Sequence, residues 1–318
     1  MLLDQKPRRD SEMNLDVAFR TVTPILTLIS IGYLSRKINI LKQGDERVLN
    51  SYVYFFALPS LFLIDLSETV FTKGNLNLVA VGVLPILLSV IILSVGYSLK
   101  AYSKETFSLL TIATIFGSTA FFGIPFVVFA FPAAEGLATL SAAVIAIASV
   151  PISITVLELR NLEQGTRSTC LRKVFVRFAR NPLILSILIG VFLSLSRVRI
   201  PEPLSTSLHM IGLTTAPVAI FVLGVFLYGK KYVKLRWAVI LTLLRAVALP
   251  AAALLFTSLL GLSGQERATI VLMHSTPIAI STIVLSERYN FHKETICSLL
   301  LVSSLAAGLY MNLWLYLL

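Results

Sequence analysis

The sequence predicts an all-α integral membrane protein: ten transmembrane helices arranged as two inverted five-helix repeats. Three observations predict it. Of 318 residues, 56 % are hydrophobic and 14 % charged, where a soluble domain carries about 25 % charge, and mean hydropathy is +0.86. The charges cluster and leave long apolar runs between them. The chain also repeats itself. Pro24 and Pro182, Gly32 and Gly190, Pro59 and Pro217, Val81 and Val239, and Thr111 and Thr269 each stand 158 residues apart. One offset held across separate segments marks a duplication, and duplicated, inverted halves are the build of secondary transporters.

The spans lie near 17–35, 47–66, 76–99, 106–130, 137–158, 181–196, 205–228, 235–260, 267–286 and 294–317. Most reach the roughly 20 residues that cross about 30 Å of hydrocarbon as helix. The sixth is shorter and opens at Asn181-Pro182. Residues 1–16 read as a polar tail, and no small-residue cleavage site follows span 1 before Arg36-Lys37. The first repeat covers 17–159, a basic linker 160–180, and the second repeat 181–318, all in one membrane domain. Five spans per half is an odd number, so the second copy starts from the opposite side.

The net charge of +11 is explained by its distribution. With the N-terminus outside, the inward loops hold 18 basic residues, six of them in the linker at Arg160, Arg167, Arg172, Lys173, Arg177 and Arg180, against eight in the outward segments. The positive-inside rule then puts both termini outside, in a multi-pass protein of the cell membrane. The basic charge is topology, and no nucleic-acid partner is expected. Cys170 falls in the linker and Cys297 in span 10, which predicts neither a disulfide nor a metal site.

The polar chemistry sits in spans 4 and 9. Span 4 reads Thr111-Ile-Ala-Thr-Ile-Phe-Gly117-Ser118-Thr119-Ala-Phe-Phe-Gly123-Ile-Pro125, and span 9 reads Met273-His274-Ser275-Thr276-Pro277-Ile-Ala-Ile-Ser281-Thr282. Glycines and prolines interrupt the helical ladder in both. Helix rise puts Gly117 about 18 Å in from Glu105 and Pro277 about 15 Å in from Arg267, so the breaks reach similar depth from opposite faces. Broken backbone in hydrocarbon is tolerated only where protein or a cavity satisfies it, and matched breaks in two halves point to a transport site. Half-helix N-termini there suit an anion.

Few ionisable residues lie well inside spans. Arg245 is about 13 Å from Arg236, near the midplane. With no acid at that depth, it must face a cavity, a carbonyl cluster or a bound anion. His274 lies about 10 Å from the outer surface and either packs neutral or carries a coupling proton. Asp65 reads as an interfacial cap near the outer end of span 2, and Glu158 and Glu287 as interfacial at the inner face. Metalloprotease, nucleophile-elbow, P-loop and dinucleotide motifs do not occur. No catalytic residue, metal or cofactor is expected, and an ATP-driven pump is excluded.

Several segments resemble the auxin efflux carrier family, which includes plant PIN-type carriers and prokaryotic malonate and malate carriers. They are Tyr54-Phe-Phe-Ala-Leu-Pro59-Ser-Leu, Gly117 through Pro125, Asn181-Pro182-Leu-Ile, Ala216-Pro217 through Gly224, Arg245 with Pro250, and Thr276-Pro277 through Tyr289. The resemblance covers nearly all of 17–318. It implies that helices 4 and 9 cross at their prolines, as in the related bile-acid symporters and cation–proton antiporters. It also implies organic-anion transport, often by a homodimer. The short loop between helices 5 and 6 resembles the prokaryotic members. Where the family usually has Asn-Thr ahead of the helix 4 proline, this chain has Ser118-Thr119, which trades an amide for a hydroxyl.

The expected function is alternating-access transport of a small organic anion, auxin-like or dicarboxylate, in the direction of efflux. The expected substrate site is Gly117, Ser118, Thr119, Gly123, Pro125, Arg245, His274, Ser275, Thr276 and Pro277. Its partners are the anion, the bilayer, a coupling proton or sodium, and a second copy. A sodium- or proton-coupled symporter or antiporter of the same superfamily is the alternative. Antiport of cations needs deep carboxylates near the breaks, and none is present. A non-transporting receptor has no use for two matched breaks.

Overall fold

A computed structural model describes residues 23–69, 73–160, 176, 180–229 and 232–318. The expected tail, the start of span 1 and most of the basic linker, Cys170 included, lie outside the described residues. Within them the chain is helical, and its extended pairing is one isolated antiparallel bridge, Gly117 with Ile278.

The helices are α1 (23–37), α2 (Asp45–Glu68), α3 (Lys73–Ser98), α4 (Lys104–Ile115), α5 (Thr119–Ala130) and α6 (Pro132–Arg160). They continue with α7 (Pro182–Leu195), α8 (Glu202–Leu227), α9 (Leu235–Leu259), α10 (Gly264–His274), α11 (Thr282–Arg288) and α12 (Lys293–Leu317). Six are long and apolar enough to cross a membrane: α2, α3, α6, α8, α9 and α12. The segments expected as spans 4 and 9 each hold two short helices, α4 with α5 and α10 with α11.

Local chemistry sets the ends. Ser103 caps α4 by accepting the Thr106 N–H at 3.2 Å, and Asn181 caps α7 by accepting the Leu183 N–H at 3.0 Å, with Pro182 in the first turn. Glu105, Glu135 and Glu266 place negative charge in first turns, where the helix dipole favours it. In α2 and α5 a π-turn, Val53–Ala57 and Thr119–Gly123, ends two residues before Pro59 and Pro125. Each proline lacks the N–H that would continue the ladder, and the widened turn absorbs the defect.

The helices pack as two bundles. One joins α2 to α7 and α8, with α1 seated on α8. The other groups α3, α4, α6, α9, α10 and α12. On α1 and α8 the backbones nearly touch. A Cβ added to Gly32 would meet the Phe221 carbonyl oxygen at 2.0 Å, and one added to Gly224 would meet that of Ile29 at 2.0 Å. Small residues on facing helices permit this approach, and membrane helix interfaces are enriched in them. The bundles meet where α2 lies on α6 and where the Thr215–Leu227 half of α8 covers the Thr119–Gly123 turn of α5. Thr139 of α6 donates to Asp65 of α2 at 2.7 Å across that seam. Asp65 was expected as an interfacial cap; it is instead a partner of the other bundle.

Candidate functional site

α4 stops at Ile115 because Phe116 leaves the helical region, and Gly117 and Ser118 extend the chain. α10 stops at His274, and Pro277 holds the preceding residue away from helical geometry. The two extended connectors then run antiparallel past each other. Ser118 N–H donates to the Pro277 carbonyl at 2.8 Å, and Ala279 N–H donates to the Phe116 carbonyl at 2.9 Å. Each break thus satisfies part of the other, the condition for irregular backbone at this depth.

The pairing diverts a donor. In an unbroken α4 the Ser118 N–H would serve the Thr114 carbonyl, four residues back. That carbonyl, and the Thr276 carbonyl beyond α10, turn instead to Arg245 on α9. Arg245 is 2 % exposed. Its Nε donates to the Thr276 carbonyl at 2.6 Å, its Nη1 to the Thr114 carbonyl, and its Nη2 to Thr276 Oγ1 at 3.3 Å. Of the environments open to this buried cation, the structure shows the carbonyl cluster. Gly117 makes room for it, since a Cβ there would sit 1.9 Å from Nη2.

His274 answers a different vacancy in the ladder. Pro85 lies inside α3 and has no N–H for the Val81 carbonyl one turn earlier. His274 Nε2 lies 3.1 Å from that carbonyl oxygen. A carbonyl only accepts, so Nε2 carries the hydrogen, and Nδ1 of the neutral ring presents its lone pair without a protein partner. The same device recurs on α9. Pro250 frees the Ala246 carbonyl, and Trp314 Nε1 donates to it at 2.7 Å.

The structure brings Gly117, Ser118, Gly123, Arg245, Thr276 and Pro277 together at this crossing, while His274 and Ser275 precede it along the chain and Thr119 and Pro125 follow it in α5, and it gives them different work. Ser118, Thr119, Ser275 and Thr276 are buried. Ser275 Oγ is spent on the Leu272 carbonyl at 2.8 Å, and Thr276 Oγ1 on Met273 and Arg245. Gly123 packs directly on Met273 and Thr276, and half-buried Pro125 opens the regular helical turn of α5. Ser118 Oγ and His274 Nδ1 keep unused hydrogen-bonding capacity. Sequence reasoning missed Thr111, Thr114 and Thr269, whose buried hydroxyls also lack partners, and the freed carbonyls of Val81 and Ala246. Counting four residues back from each in-helix proline would have found the last two.

A family model described as a membrane transport protein matches residues 17–315. The chain belongs to this membrane transport protein family, the auxin efflux carriers. Among relatives, "Uncharacterized transporter MJ1031" of Methanocaldococcus jannaschii is 27 % identical over 298 residues, covering 91 % of this chain and 95 % of that one. "Uncharacterized transporter YfdV" of Escherichia coli K12 is 24 % identical over 302 residues, covering 92 % and 95 %. As a member of a transporter family with several spanning helices, the chain is a multi-pass membrane protein and not an enzyme.

Proposed function

We propose that this auxin efflux carrier family member is a secondary carrier of a small organic anion of carboxylate type. It works by alternating access between the two bundles, in the direction of efflux. The reading takes α4 with α5 and α10 with α11 as single broken spans, giving ten spans in two inverted repeats with both termini outside. Two correspondences support the repeat. Ile124–Ala130 and Thr282–Arg288 are separated by 158 residues at both ends. Gly32 abuts Phe221, and Gly190 abuts Leu63, so equivalent residues have exchanged partners between the halves.

The crossover is the substrate site, with Gly117, Ser118, Thr119, Gly123, Pro125, Arg245, His274, Ser275, Thr276 and Pro277 around it. One observation carries the anion reading: among the described residues, a buried guanidinium at the crossing is bonded to neutral oxygens alone. With no carboxylate among its partners, this cation offsets the carbonyl dipoles at the crossing and leaves it able to accept an anionic ligand. Ser118 Oγ lies on the same connector, and α8 closes over the Thr119 turn from the other bundle. A ligand held at that seam feels any sliding of the bundles, as alternating access requires.

The test is flux of a panel of labelled mono- and dicarboxylates into proteoliposomes. At least one should move in a saturable way. Thr119→Leu should lower that flux about tenfold or more, the loss of roughly 1.4 kcal/mol of recognition, with unchanged yield of folded protein. Absence of saturable flux for the whole panel rejects the anion reading. Normal affinity and rate in Thr119→Leu rejects the placement.

A further inference from the structure

The oxygens around Arg245 are a set of neutral acceptors of the kind that coordinates a cation. Two are main-chain carbonyls released by the helix breaks, Thr114 at the end of α4 and Thr276 just past the end of α10, and the third is the Thr276 hydroxyl. All are neutral acceptors. They converge from two helices whose C-terminal ends each carry about half a negative charge, and they lie where the backbone of both is unwound. In carriers built on discontinuous helices, such carbonyls and half-helix C-termini are what coordinate a mobile sodium ion or proton. Here a side chain from α9 enters and occupies the set.

We propose that the Arg245 guanidinium is a resident cation, tethered to α9, which fills the carbonyl site that a free coupling cation would otherwise occupy. Three consequences follow from the geometry. The single positive charge offsets the two half-charges of the α4 and α10 C-termini, so those termini do not repel an anion at the crossing. The site needs no alkali ion from solution, so transport does not depend on a sodium gradient. Position 117 is confined to glycine, because any side chain there displaces Nη2. Arg245 is then a positioning and selectivity residue: its donors hold protein carbonyls, and its charge sets the field the substrate meets.

The transport consequence rests on the anion-carrier reading, but the site itself is testable without a substrate. Arg245→Ala protein, in nanodiscs, is unfolded thermally in choline chloride, sodium chloride or millimolar guanidinium chloride at matched ionic strength. Ala leaves the oxygens in place and opens room for a small cation. The variant should melt several degrees below wild type in choline and regain most of the loss, saturably, with guanidinium or sodium. A ligand bound only by the folded form stabilises it in this way. Wild type should show no such preference. Should Arg245→Ala not fold, Arg245→Lys and Arg245→Gln carry the test. Lys, which keeps a tethered charge, should be equally stable in choline and sodium, whereas Gln should gain stability in sodium. An Ala variant as stable as wild type in choline, or one that no small cation restores, overturns the proposal, as does a Lys and Gln pair with the same cation response. A carboxylate flux that fails in wild type while the cation rescue holds would sink the transport reading and leave the cation site standing.

Discussion

A proline within a helix leaves the carbonyl one turn back without its donor, and in hydrocarbon that carbonyl needs another. Val81 finds His274 and Ala246 finds Trp314. Each pair is a compensated defect, which predicts a reciprocal mutant pattern. His274→Leu should destabilise the protein by about 1–3 kcal/mol, the cost of an unmet buried acceptor. Pro85→Ala, which returns an N–H to the Val81 carbonyl, should recover a large part of that loss in a double-mutant cycle. His274→Gln, with an amide donor, should be milder than Leu. Additive effects of Pro85→Ala and His274→Leu, measured by denaturation in detergent micelles, would dissolve the link. The sequence showed His274 but nothing to join it to Val81, because the two are 193 residues apart and meet only once α3 and α10 are packed. Arg245 was legible as a buried cation with a carbonyl cluster among its expected surroundings. Which carbonyls hold it was not legible, since main-chain carbonyls carry no residue type.

At the level of elements, the N-terminal ends of α4 and α12 and the C-terminal end of α6 are tied by one cluster. Glu105 on α4 pairs with Arg160 Nε on α6 at 2.6 Å and with His292 Nε2, at the start of α12, at 3.2 Å. Arg160 also lies 5.0 Å from the centre of the Phe291 ring, and Lys104 donates to the Arg160 carbonyl. The His292 ring is held below its ordinary pKa of 6.5, chiefly by burial, against the opposing pull of Glu105 and with help from Lys234 and Arg160. Its folded value is depressed, so its contribution is complete above about pH 6.5 and declines as pH falls through that value toward the folded one. The group is part exposed and screened, which keeps the effect below about 1 kcal/mol. Melting of the wild type should drop slightly between about pH 7 and pH 5.5, and Glu105→Gln should steepen that drop by removing the counter-charge. A flat profile in both proteins would remove His292 from the account. Element existence was legible from apolar length, and the breaks of spans 4 and 9 from glycine and proline. The cluster was not, because a charge at a span end looks the same whether solvated or paired.

For the whole molecule, the sequence repeat was a statement about order along the chain, and the bundles regroup that order. α7 and α8 from the second half join α1 and α2 from the first, and α9, α10 and α12 join α3, α4 and α6. Periodicity could not have announced this, because faces buried in protein and faces turned to lipid are equally apolar. Orientation in the bilayer follows from charge: the inner loops should be cytoplasmic, including the 160–180 linker. A variant with Cys297 replaced leaves Cys170 as its cysteine. An impermeant thiol reagent should label it only after the cells are opened. Labelling of intact cells would reverse the orientation.

The two backbone bonds between Phe116–Ser118 and Pro277–Ala279 also set a clock on biogenesis. About 160 residues separate the strands they join, and synthesis runs at roughly 5–20 residues per second. For about 8–30 seconds the first broken helix is in place while its counterpart has yet to be made, and Arg245, its other partner, comes only shortly before. During that interval its unwound peptide groups have to be wetted or shielded by something other than the finished protein. A nascent chain stalled between α6 and α9 is therefore the form most exposed to membrane quality control, because its first broken helix has neither of the partners that complete it.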